Sequence, residues 1–273
     1  MTPDTLFSVH GKTALVTGGA TGIGRMAAEA LVRAGARVLI ASRKGAACEA
    51  VAEELNALGA SGRAEGLTGD LSSEDGIDAL VAEIKVRTQT LDILMNNSGT
   101  TWGAPLGQFP HQAWQRVMNV NVAGLFDLTQ KLLALLVASG SEDDPARVIN
   151  VGSVMGEIPL GDGAYSYAAS KAATLHLTKI LAKELAGQHI TVNALAPGPF
   201  VSKMTAFATG DPARRAKVGA DVPLGRVGRE EDIAGCVLFL CGRGGSYVTG
   251  AVIPVSGGIN VQTGGNIFAG GLE

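Results

Sequence analysis

"TALVTGGATGIG", residues 13–24, decides the fold. Its apolar opening reads as a buried strand, and the strand breaks into a turn carrying Gly18, Gly22 and Gly24, with Thr21 and Ile23 between them. Glycine allows a tight turn and a close approach of backbone to a pyrophosphate; the N-terminus of a following helix adds amide donors for that anion. The spacing is GxxxGxG, not the usual GxGxxG dinucleotide fingerprint. Gly19 and Gly24 have the GxxxxG spacing of a P-loop, but Arg25 and Met26 stand where Lys and Ser/Thr are required, which disfavours nucleotide triphosphate hydrolysis.

Outward from that turn the pattern repeats. "IGRMAAEALVRAGA" reads as a helix ending at Gly35, and "RVLIAS" as a second strand, which makes one βαβ unit. Helices predicted at 45–58, 74–88, 111–138, 166–186 and 230–241 alternate with a weak strand ending at "TGDL" and with "LDILMNNSG", "RVINVGS", "ITVNALAPG" and "AVIPVSGG". This alternation predicts an α/β fold: a single, doubly wound Rossmann-like domain on a parallel sheet covered on both faces. No Pro/Ser linker divides the chain, so residues 1–263 read as one domain and 264–273 as a tail. Irregular stretches at 100–110, 154–165 and 199–225 follow strand ends, where ligands bind in open α/β sheets.

The 273 residues are 46% hydrophobic and carry a net charge of −3, so they suit a large core and give no overall reason to bind nucleic acid or an anionic membrane. The N-terminus lacks the basic-then-apolar pattern of a secretory signal, and "LLALLVA", 132–138, is too short to span a bilayer. Three scattered cysteines form neither a disulfide framework nor a zinc site, and His10, His111, His176 and His189 have no paired ligand spacing. A cytoplasmic protein without a metal is the expectation. A hydrolase is disfavoured because Val151 breaks the G-x-S-x-G pattern around Ser153.

The second strand ends "IASRK", with Ser42, Arg43 and Lys44 and no carboxylate. An acidic residue there would hold the ribose 2′-hydroxyl of NAD; cations accommodate the 2′-phosphate of NADP. The cofactor expected is therefore NADP(H), with a solvated basic loop as the competing reading. In "YSYAASK", 165–171, Tyr167 and Lys171 are four apart and share a helix face, whereas Tyr165 would face Ala169. A tyrosine can protonate a carbonyl oxygen, and a nearby ammonium favours its phenolate. Tyr167 is the candidate acid and Lys171 its activator.

"TGGATGIG", "NNSG" at 96–99, "YAASK" and "APG" at 196–198, in that order, resemble the short-chain dehydrogenase/reductase family over almost the whole chain. The resemblance implies seven strands, usual assembly as a tetramer (or a dimer), and roles for further residues. Ser153 would hydrogen-bond the substrate carbonyl, and Asn121 would anchor a helix and a water relay behind Lys171. Asp70 and Leu71 would border the adenine, Asn97 would line the cofactor groove, and Pro197, Phe200 and Ser202 would lie at the nicotinamide end. The chain departs from the family with Ser98 in "NNSG", Ser256 in "VSGG" and a Ser153–Tyr167 spacing of fourteen.

"TTWGAPL", "PARVINVGSV", "AYSYAASKAA" and "APGPFVSKMT" together resemble the NADPH-preferring 3-oxoacyl reductases associated with rhamnolipid synthesis. That implies a ketone or alcohol substrate, with a 3-oxoacyl thioester or related β-keto compound as one reading; sugar-derived and cyclic ketones stay open, with a non-catalytic dinucleotide binder as the remote alternative. Phe200, Met204 and Phe207 have the spacing of a helical lid with an apolar inner face. Arg214, Arg215 and Lys217 are either contacts for a carrier's phosphates or a solvated helix face, and Trp102 is either a pocket wall or a loop anchor.

Overall fold

Seven strands lie side by side: β1 (Thr13–Thr17), β2 (Arg37–Ser42), β3 (Arg63–Thr68), β4 (Ile93–Asn96), β5 (Ala146–Val151), β6 (Ile190–Pro197) and β7 (Val252–Val255). The computed structural model describes residues 2–160 and 163–261. All pairings are parallel, and the order is β3-β2-β1-β4-β5-β6-β7. Parallel neighbours need crossovers, and helices supply them. After a short α1 (Pro3–Phe7) come α2 (Gly22–Arg33), α3 (Gly45–Asn56), α4 (Glu74–Arg87), α5 (His111–Met118), α6 (Gly124–Lys131), α7 (Leu133–Ser139) and α8 (Tyr165–Leu185). Short α9 (Ala206–Thr209), then α10 (Pro212–Ala220) and α11 (Glu230–Cys241), lie between β6 and β7. The seven-stranded Rossmann-like domain read from the sequence is the one observed; the tail at 264–273 lies outside the described residues.

Strand side chains alternate between two apolar layers. Ala14, Val16, Val38, Ile40, Ile149 and Val151 pack with α2, α3 and α11 on one face. Leu15, Leu39, Leu94, Val148 and Val192 pack with α4, α6, α7 and α8 on the other. Because the strands are parallel, their C-terminal ends meet along one edge. The order turns back between β1 and β4, and the crevice outside that switch point is where such sheets bind ligands.

Two expectations need correction. The single helix over 111–138 is instead three pieces: a π-helical turn, Asn119–Ala123, separates α5 from α6, and the run bends by 54° before α7. The turn holds Asn121, whose side chain is engaged by groups outside the helix, and π turns mark such functional insertions. The proposed helical lid does not form either. Only Ala206–Thr209 is helical there; Phe200 is buried, while Phe207 is 79% exposed. The Phe200 ring occupies space over Gly228 that a Cβ would fill, so it is spent on packing. Among the described residues, no single helix is long and apolar enough to cross a membrane.

Candidate active site

The crevice at the switch point is a groove of about 830 Å³. Thr17, the last residue of β1, fastens its centre. Its Oγ1 accepts from the amides of Asn97 and Ser98, each at 3.0 Å, joining β1 to the loop after β4. The Asn97 amide then donates to the carbonyls of Thr17 (2.9 Å) and Gly18 (3.2 Å). Gly18 and Gly22 have φ of +65° and +54°, the left-handed region that suits glycine. A Cβ on Gly24 would collide with the Asn97 amide and stand 2.6 Å from the Gly18 carbonyl. The spacing of the glycines is thus a packing requirement of the turn.

The helix starts explain what this turn can hold. Thr21 precedes α2 but makes no capping hydrogen bond, and the first turn has no acidic residue. The same is true of Lys44 before α3. Elsewhere Ser73 caps α4, with Glu74 and Asp75 in its first turn, and Asp211 caps α10. The starts of α5, α7 and α8 also lack a side-chain cap and an early acid, but those of α2 and α3 open onto the groove, through Thr21, Gly22, Ile23, Lys44 and Ala47. Unpaired N-terminal amides favour an anion, so two phosphate groups fit where this chain supplies no carboxylate. Ser42 and Arg43 line the groove beside the second of these starts. Ser42 Oγ accepts from the Lys44 amide at 3.2 Å and contacts Cys48 Sγ at 3.1 Å. Asp70 accepts two hydrogen bonds from Ser72, at 2.9 and 2.7 Å. Burial works to raise its carboxyl pKa, but those bonds and the nearby Arg43 charge hold it below the usual carboxylate value. Leu71 turns its side chain into the core, so only its outer edge meets the groove.

At the other end, the first two turns of α8 bring Tyr167 and Lys171 beside Ser153, just past β5. Lys171 Nζ is buried, donates to the Val151 carbonyl at 2.6 Å and stands 5.6 Å from the Tyr167 ring centre. Burial lowers its pKa to about 8. Burial also raises the Tyr167 phenol, against the pull of the Ser153 hydroxyl. This corrects the expected sign: the ammonium is held by a carbonyl, and the phenol stays protonated around neutrality. Ser153 Oγ accepts from the Met155 amide at 3.2 Å, which leaves its own proton to donate into the groove.

Asn121 ties the active helix to the loop after β4. Its Oδ1 accepts from the Thr100 amide (2.8 Å), and its Nδ2 donates to the Thr100 carbonyl (3.0 Å) and to Ser170 Oγ (2.9 Å). Its backbone carbonyl accepts from Thr174 Oγ1 at 3.2 Å. Ser170 Oγ donates to the Tyr167 carbonyl at 2.7 Å. Tyr165 goes elsewhere, packing edge-on to Phe109, whose ring also meets Trp114. Pro197, Phe200 and Ser202 do line the groove; Ser202 Cβ fills the space a side chain at Gly22 would need. Arg214 pairs with Asp211 on an exposed face, and Trp102 is not among the groove's lining residues. Sequence reasoning missed Thr17, Thr100, the Val151 carbonyl and the Met155 amide. Three of those four act through their own backbone groups, which leave no mark in side-chain chemistry, and the fourth, Thr17, acts on backbone amides.

A family model described as "Enoyl-(Acyl carrier protein) reductase" matches residues 18–260. The rhamnolipids biosynthesis 3-oxoacyl-[acyl-carrier-protein] reductase of Pseudomonas aeruginosa is 46% identical over 93% of this chain and 98% of its own. The Aquifex aeolicus 3-oxoacyl-[acyl-carrier-protein] reductase FabG is 38% identical over 92% and 98%. Among solved structures, the Pseudomonas aeruginosa RhlG/NADP active-site complex superposes with a TM-score of 0.89 at 46% identity, over 94% of this chain and 99% of that one. A putative NAD(P) dependent gluconate 5-dehydrogenase from Beutenbergia cavernae gives 0.84 at 35% identity, over 94% and 100%.

Proposed function

The chain belongs to the short-chain dehydrogenase/reductase family, and from that membership we propose an NADPH-dependent carbonyl reductase acting on a 3-oxoacyl thioester. The observation that carries this is the pairing of two hydroxyls, Ser153 and a protonated Tyr167, above a buried lysine at the end of a groove with two uncapped helix starts. Two converging O–H donors suit an oxygen that gains negative charge, which is what a ketone becomes on reduction. The ketone, as against the C=C bond of the family model's description, is favoured by the relatives named as 3-oxoacyl reductases, since hydride addition to an enoyl thioester also puts charge on an oxygen.

When bound, reduced nicotinamide supplies the hydride. The uncapped amides of α2 would hold its diphosphate, and Ser42, Arg43 and Lys44 would hold the 2′-phosphate. Asp70 and the outer edge of Leu71 would border the adenine, Asn97 lines the middle of the groove, and Pro197, Phe200 and Ser202 would border the nicotinamide. Ser153 Oγ–H orients the substrate carbonyl, and Tyr167 transfers its phenolic proton to the oxygen as the carbon receives the hydride. The Lys171 ammonium then stabilises the phenolate left behind, and Asn121 keeps the loop and α8 in register.

The substrate assignment follows the relatives named as 3-oxoacyl-carrier reductases. A purified-protein assay following NADPH oxidation tests it with 3-oxoacyl thioesters, gluconate-derived ketones and cyclic ketones. The highest kcat/KM is expected for the thioester; a preference for a sugar ketone would replace the substrate class and leave the chemistry intact. Assembly as a homotetramer or homodimer in the cytoplasm belongs to the same proposal. The apolar Trp114, Phe126, Val137 and Ile180, 39–48% exposed on α5–α8, support the assembly, and size-exclusion chromatography with light scattering measures it.

A further inference from the structure

Besides Lys171, four cations line the groove: Arg43, Lys44, Arg116 and Lys203. None has a carboxylate within ion-pair distance among the described residues, a state they share with surface cations such as Arg215 and Arg243; what sets them apart is that they face the groove. Arg43 and Lys44 face the proposed 2′-phosphate. Arg116 is on the opposite wall, on α5, and nothing in the chemistry described so far uses it.

Its place is fixed by the helix beneath. Gly124 sits so close to the Leu71 carbonyl that any Cβ would collide with it, which locks the start of α6 onto the Asp70–Ser72 segment. Val120, one turn earlier, lines the groove above that contact, and Arg116 lines it one turn further out. On the far side of the same segment, Asp70 feels the Arg43 charge. Val120, with the outer edge of Leu71 beside it, thus makes a small apolar patch between two arginines, at the end of the groove away from Tyr167. A flat, uncharged heteroaromatic ring fits that patch, and a planar guanidinium fits over its outer face.

We propose that Arg116 is an affinity residue for the adenine ring, its guanidinium stacking on the base from the α5 wall while Arg43 reads the 2′-phosphate from the other. This rests on the nicotinamide-dinucleotide reading above. It differs from the phosphate site in what it recognises: adenine is common to NADPH and NADH, so Arg116 supplies affinity without cofactor preference. Its removal acts on binding and leaves the proton-transfer groups untouched.

The test is isothermal titration of the full chain with NADPH and with NADH, for wild type, Arg116→Ala, Arg116→Lys and Arg43→Ala. Arg116→Ala should raise both Kd values by the same factor, about three- to tenfold, leaving their ratio unchanged. Arg43→Ala should instead weaken NADPH alone. Arg116 is exposed, so its variants should keep the wild-type Tm, and circular dichroism checks this. Unchanged Kd values in Arg116→Ala would overturn the inference, as would a loss confined to NADPH, which would make it a second phosphate reader. Full affinity in Arg116→Lys would also overturn it, because a bare charge would then suffice. A wild type that binds neither dinucleotide would remove the underlying functional reading as well. A wild type that binds while Arg116→Ala matches it removes this inference only.

Discussion

The groove has two unlike halves. The dinucleotide half is built from strand ends and backbone: Thr17 stitches β1 to the loop after β4, and Gly18 and Gly24 sit where a side chain would strike Asn97. The substrate half sets α8 and the end of β5 beside the 100–110 loop, and at Gly103 and Gly107 of that loop nothing lies within 4 Å of where a Cβ would be. One half is close-packed, the other has room. Tight packing fixes chemistry that every substrate shares, while open loops are free to set which substrate enters. The two tyrosines of "YSYAASK" divide along the same line, Tyr167 towards Ser153 and Lys171, Tyr165 into the aromatic support of the 100–110 loop.

The largest effect should come from breaking that division. Tyr167→Phe keeps the ring and removes the proton donor, so kcat should fall at least about 10²-fold with NADPH affinity little changed. Tyr165→Phe keeps its edge-on contact with Phe109 and should retain most turnover. Steady-state kinetics of the two variants decide between them. A reversed pattern would place the reacting face on the wrong side of α8.

In the close-packed half, Gly24→Ala should destabilise the protein by about 2 kcal/mol, in the range of overpacked sites. The displaced atoms are the Gly18 carbonyl and an Asn97 amide already bonded to two carbonyls, so neither yields freely. Denaturant unfolding measures the loss. A variant as stable as wild type would show that the turn has slack.

The same contrast governs what the sequence revealed. Strand–helix alternation, the glycine turn and the Tyr167–Lys171 pair were legible because each repeats a backbone period or a steric need. The weak strand ending at "TGDL" was legible too, though β3 is half-exposed at the sheet edge. The helix over 111–138 misled because Asn121 and the residues around it have ordinary helix-compatible side chains; the π turn follows from tertiary bonds to Thr100 and Ser170. The lid misled for a similar reason. Phe200, Met204 and Phe207 have helical spacing, but Gly228 leaves a hole that Phe200 fills, and that long-range packing overrides the local pattern. The sign of the Tyr167 shift was not legible either, because burial cannot be read from a spacing of four residues.

Cofactor preference sharpens the comparison from the dinucleotide side. Ser42→Asp combined with Arg43→Ala adds a ribose acceptor and removes a phosphate donor. Wild type should prefer NADPH by about tenfold or more, since a charge-assisted hydrogen bond contributes roughly 1.5–3 kcal/mol, and the double variant should reverse this. The ratio of kcat/KM for the two cofactors is the readout. A double variant with the full wild-type preference would assign the reading to Lys44 or to the α3 amides.

Lys171 sets the pH dependence where the halves meet. Reduction leaves a phenolate, which the ammonium stabilises only while charged. With its pKa lowered to about 8, turnover should be full below that value and fall as pH rises through it, about tenfold by one unit above. Stability runs the other way. The unfolded lysine keeps its proton up to about 10.5, so the folded state gains stability as pH rises from about 8 towards that value. Lys171→Met should remove the alkaline limb of the rate profile and raise Tm at neutral pH. A limb that survives in the methionine variant would belong to another group.

The smallest effect should lie in the open half. Gly103 sits in the 100–110 loop, has no left-handed φ, and offers a methyl group empty space. Gly103→Ala therefore removes freedom from the unfolded chain without a clash in the folded one, and should leave stability unchanged or raised by up to about 1 kcal/mol. kcat and the NADPH Kd should stay within about twofold of wild type, since no catalytic or phosphate-binding group is displaced. Thermal unfolding beside Gly24→Ala makes this a matched pair: one methyl group added to the glycine turn and one to the loop beside the groove. If Gly103→Ala were as destabilising as Gly24→Ala, the loops would be as tightly packed as the glycine turn. Specificity would then have to reside in the shape of a rigid pocket instead of in loops with room to adapt.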